Sequence, residues 1–247
     1  MQQRLKLIVA YDGAAFAGWQ SQSHGNTVQD HLERAFHRVG GRHVRVHGAG
    51  RTDAGVHALG QCAHVDVADR RLSAAHWTSA LNSLLPPLIR VSSCQYVPAG
   101  FHARFSAKGK VYRYRIWSAP ILPPLEFNRA WHISARLDFD ILQAVAERFV
   151  GTHDFAGFAA NRGTRETSTI RTIRSIRLCR KGPCIAVDFN GDGFLYKMVR
   201  LIVGSMAQGA LGKLTGDEIA GRLVPIRSSG PRFTAPAEGL FLVRVRY

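Results

Sequence analysis

Along residues 4–11, RLKLIVAY, Leu5, Leu7 and Val9 alternate with Arg4, Lys6 and Ile8, the period of two that predicts a strand with one buried face. Over 27–39, TVQDHLERAFHRV, the apolar positions become Val28, Leu32, Phe36 and Val39, which is helical spacing, and Thr27 is placed to cap the N-terminus. Alternation returns at 43–47 (HVRVH) and 61–67 (QCAHVDV). A helical stretch at 73–84 (SAAHWTSALNSL) stops at Pro86-Pro87, and a further strand covers about 88–97. The first half therefore reads β-α-β-β-α-β.

The second half repeats that order without repeating the residues. A strand at 110–117 (KVYRYRIW) and a Pro-rich crossing at 120–124 lead to a helix at 138–150 (DFDILQAVAERFV). Strands follow at about 170–179 and 184–190, then a helix from about 195 to 211, a short helix near 215–224 and the closing strand GLFLVRVRY. One segment fits no simple period: in TIRTIRSIRLCR, Ile and Arg recur every third residue, and it is assigned as a strand. The expected fold is α+β, two ferredoxin-like βαββαβ domains with mainly antiparallel sheets, the unit that RNA-recognition modules also use. The boundary falls in GFHARFSAKG, residues 100–109, giving domains 1–103 and 104–247 with a ligand cleft expected between them.

Charge changes this picture most. Thirty-three Lys and Arg against 17 Asp and Glu give a formal net charge of +16, a surplus that attracts polyanions. The basic residues are spread over the body of the chain: Arg42/Arg45, Arg70/Arg71, Lys108/Lys110/Arg113/Arg115, Arg162/Arg165 and Arg171/Arg174/Arg177/Arg180. No apolar run approaches the roughly 20 residues of a membrane span, and the N-terminal run is explained by a strand, so the expected location is the cytoplasm. The four cysteines, 62, 94, 179 and 184, lack the paired spacing of a zinc site, and neither metal nor disulfide is expected.

Three stretches carry candidate chemistry. In GAGRTDAGVHALGQ, 48–61, Arg51, Thr52 and Asp53 lie among glycines that allow close approach of a ligand backbone. Asp53 reads either as a turn residue capping a neighbouring amide or as a functional carboxylate kept ionised by a cation. The candidate cations are Arg51, two residues away, and Arg200, in GDGFLYKMVRLIVGS, where Met198, Leu201, Ile202 and Ser205 take the core-facing spacing of a helix. The alternative for Arg200 is a side chain that lays its stem on apolar surface and its charge in water. Tyr112 and Tyr114 share one face of a strand that also carries Lys110, Arg113 and Arg115, a pattern suited to stacking on bases and equally to core packing. His57, His64 and Asp66 match no standard ligand spacing, which leaves a metal-dependent phosphoesterase without a ligand cluster.

FAGWQSQSHGNTVQDHLE, GAGRTDAGVHALGQ, LNSLLPPLIRV, FHARFSAKGKVYRYRIW, GFLYKMVRLIVGS and APAEGLFLVRVRY occur in this order over the whole chain. Together they closely resemble the tRNA pseudouridine synthase A family, which modifies uridines 38, 39 and 40 of the tRNA anticodon stem-loop. The resemblance implies the pseudouridine synthase fold, with a basic active-site cleft, and an isomerase that breaks the N1–C1′ bond, rotates the uracil and rejoins it through C5. That conversion is neither an oxidation nor a hydrolysis, so the resemblance implies no cofactor and no metal. Asp53 falls on the family's catalytic aspartate, either as a nucleophile at C1′ or as the base that removes the C2′ proton. By the same resemblance Arg51 assists base flipping and fills the vacated space, Tyr112 stacks on the flipped uracil, and Arg200 pairs with Asp53. Many members carry a histidine pair before MVR where this chain has Tyr196-Lys197. That departure bears on the flanking RNA contacts and not on the Asp53–Arg200 pairing; Arg51, Lys110, Arg113 and Lys197 are the residues expected to bind RNA. A homodimer, with one tRNA touching both subunits, is implied too.

The competing reading is a tandem RNA-binding module without catalysis. It fits the charge and doubled order but lacks the RNA-recognition consensus string and gives Asp53 no task. The loop NRGTRETS, 161–168, reads either as an RNA-contacting element or as a solvated loop.

Overall fold

The computed structural model describes residues 3–23, 25–68, 72–160, 168–223 and 232–247. The basic pairs Arg70/Arg71 and Arg162/Arg165, and the loop 161–168 except Ser168, lie outside the described residues. The chain divides into two units, one made of Met1–Lys108 with Phe241–Tyr247 and the other of Gly109–Leu240.

In the first unit, β1 (Gln3–Tyr11) buries Leu5, Leu7, Val9 and Tyr11 on the face that alternation predicts. Helix α1 (Val28–Gly40) starts in a capping box: the Thr27 hydroxyl accepts the Asp30 N–H, and the Asp30 carboxylate accepts the Thr27 N–H. Strands β2 (His47–Gly48) and β3 (His57–Val67), helix α2 (Ala74–Leu84) and strand β4 (Ile89–Val97) follow. The sheet runs β4-β1-β3-β2 with every neighbour antiparallel, the order of the split βαβ unit.

Two expectations need correcting here. The strand expected at 43–47 shrinks to His47–Gly48, and β3 starts at His57 rather than at residue 61. The cause is the chain's last strand, β10 (Leu240–Arg246), expected in the second half. It lies parallel to β3 with Phe241 against His57 and Leu242 against Ala58, while β2 holds only His64 and Ala63 of that edge. Gly60 permits the approach, since a Cβ there would lie 2.5 Å from the Val243 carbonyl oxygen. The terminal segment is then fastened to this unit: the Lys108 N–H donates to the Arg246 carbonyl (2.8 Å), and the Tyr247 hydroxyl to the Ala103 carbonyl (2.8 Å). Phe241–Tyr247 accordingly groups with Met1–Lys108 in the first unit.

The second unit carries β5 (Gly109–Ser118), β6 (Trp131–Ile133), α3 (Phe139–Glu147), β7 (Gly151–Asp154), β8 (Ile170–Lys181) and β9 (Cys184–Gly191). Helices α4 (Met198–Ala210) and α5 (Gly216–Gly221) complete it. The sheet runs β5-β9-β8-β7, all antiparallel, with the short β6 parallel to the end of β5. Neither β6 nor β7, three and four residues long, was expected from the sequence.

The every-third-residue pattern of β8 has a structural reason. Ile173 pairs with Gly191 and Ser175 with Asn190, so Arg174 is the extra residue of a bulge. The bulge resets the alternation and brings Ile173 and Ile176, three positions apart, to one face. Helix α4 is buried around most of its circumference, including Met198, Leu201, Ile202 and Ser205 as expected, and it leaves Arg200 and Gln208 half-buried.

An expected acid response follows from His64 on β3. Its ring is buried, and Nδ1 accepts the Ala103 N–H at 3.2 Å. Burial pushes its pKa down to about 4, helped by the positive charges of His102, Arg4 and His47 and opposed by Asp66. The unfolded chain binds this proton from about pH 6.5 downward and the folded chain does not. The stability His64 contributes is therefore complete above pH 6.5 and lost as pH falls towards 4. Urea midpoints should show about 1–2 kcal/mol lost between pH 7 and 5, with a smaller loss in His64→Gln.

Candidate active site

The Asp53 loop is built by four segments of the first unit. The Trp19 N–H donates to the Thr52 carbonyl at 3.1 Å, the Gly55 N–H to the Gly13 carbonyl at 3.2 Å, and the Val56 N–H to the Asp53 carbonyl at 3.1 Å. From β3, the Gln61 amide donates to the Gly50 carbonyl at 2.7 Å. Gly18 has φ +93°, and a Cβ there would sit 2.6 Å from the Thr52 oxygen, so no other residue admits this contact without a shift. The backbone on both sides of Asp53 is thus fixed before any ligand arrives. Such fixation is what a reacting group needs to hold its geometry. Asp53 itself is half-buried and Arg51 is exposed.

Sequence reasoning missed two sets of positioning residues. Thr52, between the two residues singled out, is buried and shares a 2.8 Å hydrogen bond with the Tyr11 hydroxyl. Burial pushes the Tyr11 phenol up to about 12, so it remains a neutral hydrogen-bonding group. Thr52→Val keeps the shape and removes the hydroxyl. It should cost about 1–2 kcal/mol by urea unfolding, and in a cycle with Tyr11→Phe the double variant should lose less than the sum. The second set leads from α1 to Arg51. Gln29, almost wholly buried, donates to Glu33 (2.7 Å) and accepts from Gln20 (2.8 Å), whose oxygen accepts the Arg51 Nε–H at 3.2 Å. The signal in the sequence was polar Gln29 at a helix position that packs inward.

The remaining expected residues lie in the second unit. Tyr112 and Tyr114 do share one face of β5, but their surroundings differ. Tyr114 is fully buried, donates to the Pro236 carbonyl at 2.8 Å, and has its pKa raised by burial and by Glu238, against a lowering by Arg200. It is a structural tyrosine. Tyr112 meets Phe194 edge-on at 5.2 Å. Arg200, in the first turn of α4, donates from Nε to the Ala235 carbonyl at 2.7 Å, and the Ala235 N–H returns a bond to the Arg200 carbonyl at 3.1 Å. This reciprocal pair ties the segment at Ala235 to the first turn of the helix.

Of the residues grouped as RNA-binding, Arg113 is already engaged. It faces Asp188 across the β5–β9 pair and forms a two-pronged bond, Nε to Oδ1 and Nη2 to Oδ2, each 2.7 Å. Lys110 is half-buried opposite Gly191. Lys197 precedes α4 in the left-handed region, φ 59° and ψ 7°, with its ammonium 5.4 Å from the centre of the Tyr196 ring. A non-glycine residue held there carries backbone strain of about 1 kcal/mol or more. Among the described residues, no three or more His, Cys, Asp or Glu gather as a metal ion would require.

The profile of the tRNA pseudouridine synthase family matches residues 7–106 and 145–247, which include Arg51, Asp53 and Arg200. The chain belongs to that family. It is 49% identical to the tRNA pseudouridine synthase A of Akkermansia muciniphila, over 99% of this chain and 95% of the relative. Identity is 42% with the protein of the same name from Acetivibrio thermocellus and 39% with that from Geotalea uraniireducens, each over 99% of this chain and all of the relative.

Proposed function

We propose that the protein isomerises uridine to pseudouridine at positions 38, 39 and 40 of the tRNA anticodon stem-loop. The observation that carries this reading is the likeness to synthases of that name along almost the whole of both chains, joined to an Asp53 loop held rigid from Gly50 to Val56. A target uridine leaves its stack at a cost of a few kcal/mol, and Arg51 occupies the space it vacates. Tyr112 stacks on the flipped uracil, and Arg200 pairs with Asp53 and keeps it ionised and oriented. Asp53 either adds to C1′ and is later displaced by C5, or removes the C2′ proton and returns it to C2′ as C5 bonds to C1′. The N1–C1′ bond breaks, the uracil turns, C5 bonds to C1′, the C5 hydrogen leaves as a proton, and N1 takes one from solvent.

Substrate and product are isomers, so the reaction calls for no oxidant, reductant or hydrolytic water. Arg51, Lys110, Arg113 and Lys197 meet tRNA phosphates, Arg113 by sharing its guanidinium with Asp188. In this reading the protein works in the cytoplasm as a homodimer that holds one tRNA against both subunits. Among the described residues no helix is long and apolar enough to cross a membrane. The test is tritium release from an unmodified tRNA transcript labelled at uracil C5, with EDTA present. Release by the wild-type protein supports the reading. Its absence from folded, tRNA-binding protein contradicts it.

A further inference from the structure

Phe105 is 76% exposed, which forgoes about 1.5–3 kcal/mol that burial of such a side chain gives. The turn that carries it is nevertheless tightly built. His102 Nδ1 accepts the N–H groups of Arg104 (3.1 Å) and Phe105 (3.3 Å). The His102 N–H donates to the Ser106 hydroxyl at 3.0 Å, and the Ser106 N–H returns to the His102 carbonyl at 2.9 Å. Ala103 is held from two sides by His64 and Tyr247. The ring is presented, not left over.

Its surroundings are aromatic and positive. The His102 imidazole lies 4.3 Å from the Phe105 ring centre at 31°, and the Arg104 guanidinium 5.5 Å from it. His47, exposed, lies 5.9 Å from His102. Burial, helped by the positive charges of His47, Arg4 and Arg104, holds the His102 pKa down. Asp66, whose charge acts on the neighbouring His64, is taken by Arg4 through a two-pronged bond of 2.8 and 2.7 Å. An exposed ring in such a field suits a nucleobase on a phosphate backbone better than an apolar protein surface. The turn also joins the catalytic loop, because Ala103 packs with Ala49 and Cys62 in one small core, and Ala49 adjoins Gly50.

We propose that Phe105 and Arg104 form a stacking subsite for an unpaired nucleotide of the RNA substrate, with the base on the Phe105 ring and the adjoining phosphate on Arg104. The subsite rests on the tRNA reading and adds to it a contact outside the Asp53 loop. The test uses the full chain with an unmodified tRNA transcript, comparing Phe105→Ala, Phe105→Trp and Arg104→Ala with wild type by filter binding over a salt series and by steady-state turnover. Phe105→Ala should raise Kd about 5- to 100-fold, the range for one lost stacked base, and lower kcat/KM through KM. Phe105→Trp should return Kd to within about threefold of wild type. Arg104→Ala should reduce the salt slope by about one.

An unchanged Kd in Phe105→Ala overturns the subsite, as does an unchanged salt slope in Arg104→Ala or equal impairment in Phe105→Ala and Phe105→Trp. A change in sedimentation with RNA affinity intact overturns it in favour of a protein contact. Wild-type protein that modifies tRNA while Phe105→Ala matches it sinks the subsite alone. Wild-type protein without tRNA affinity sinks the functional reading as well.

Discussion

Asp53→Asn should remove pseudouridine formation and leave tRNA bound. An amide can neither add to C1′ as a carboxylate does nor take up the C2′ proton, so the two chemical routes fail alike. The loop should survive the change, because the bonds that fix it next to Asp53 come from backbone atoms: Trp19 to Thr52, Gly55 to Gly13, and Val56 to the Asp53 carbonyl. The expected loss in single-turnover rate is on the order of 10⁴-fold or more, the scale seen when a group that acts directly on reacting atoms is removed. The tRNA Kd should stay within about threefold, since phosphate contacts supply most of such affinity. A rate within tenfold of wild type would remove Asp53 from the chemistry.

Arg200 carries the second large effect, on stability and rate together. Arg200→Ala deletes the Nε–H that meets the Ala235 carbonyl at 2.7 Å, for a cost of about 1–2 kcal/mol in urea unfolding. On the proposed mechanism it also withdraws the cation that orients Asp53, lowering the single-turnover rate about 10²- to 10³-fold. Arg200→Lys is the informative partner. A lysine keeps the charge but has no second prong to hold Ala235 and a carboxylate at once, so it should restore little of either quantity. Full rescue of the rate by lysine would mean that a positive charge near α4 suffices and that the tie to Ala235 is incidental.

Much of the fold was legible because its signals are local. The alternation of β1, the Thr27–Asp30 capping box and the apolar run of α4 each lie within a few turns of chain, and the order β-α-β-β-α-β follows from them. The departures come from pairings between residues far apart in sequence. Nothing in GLFLVRVRY says that Phe241 will lie against His57, a pairing that goes with the early start of β3 at His57. Arg174 shows another limit, since one bulged residue puts Ile173 and Ile176 on one face where regular alternation would separate them.

The site divides in the same way. The segment around Asp53 stood out because Arg51 and Asp53 lie among glycines that allow close approach of a ligand backbone. What holds it did not stand out. Tyr11 meets Thr52 from 41 residues away, and Gln29 reaches Arg51 only through Gln20. Arg113 looked like a surface charge until its strand partner proved to be Asp188.

The most direct measurement is to map pseudouridine, base by base, in an unmodified tRNA transcript with uridines at 38, 39 and 40 after incubation with wild-type protein or with Asp53→Asn. The account predicts pseudouridine at those positions with wild type and none with Asp53→Asn, both proteins binding the tRNA. Unaltered uridines after incubation with folded, tRNA-binding wild type would contradict it and leave a tandem RNA-binding module in its place.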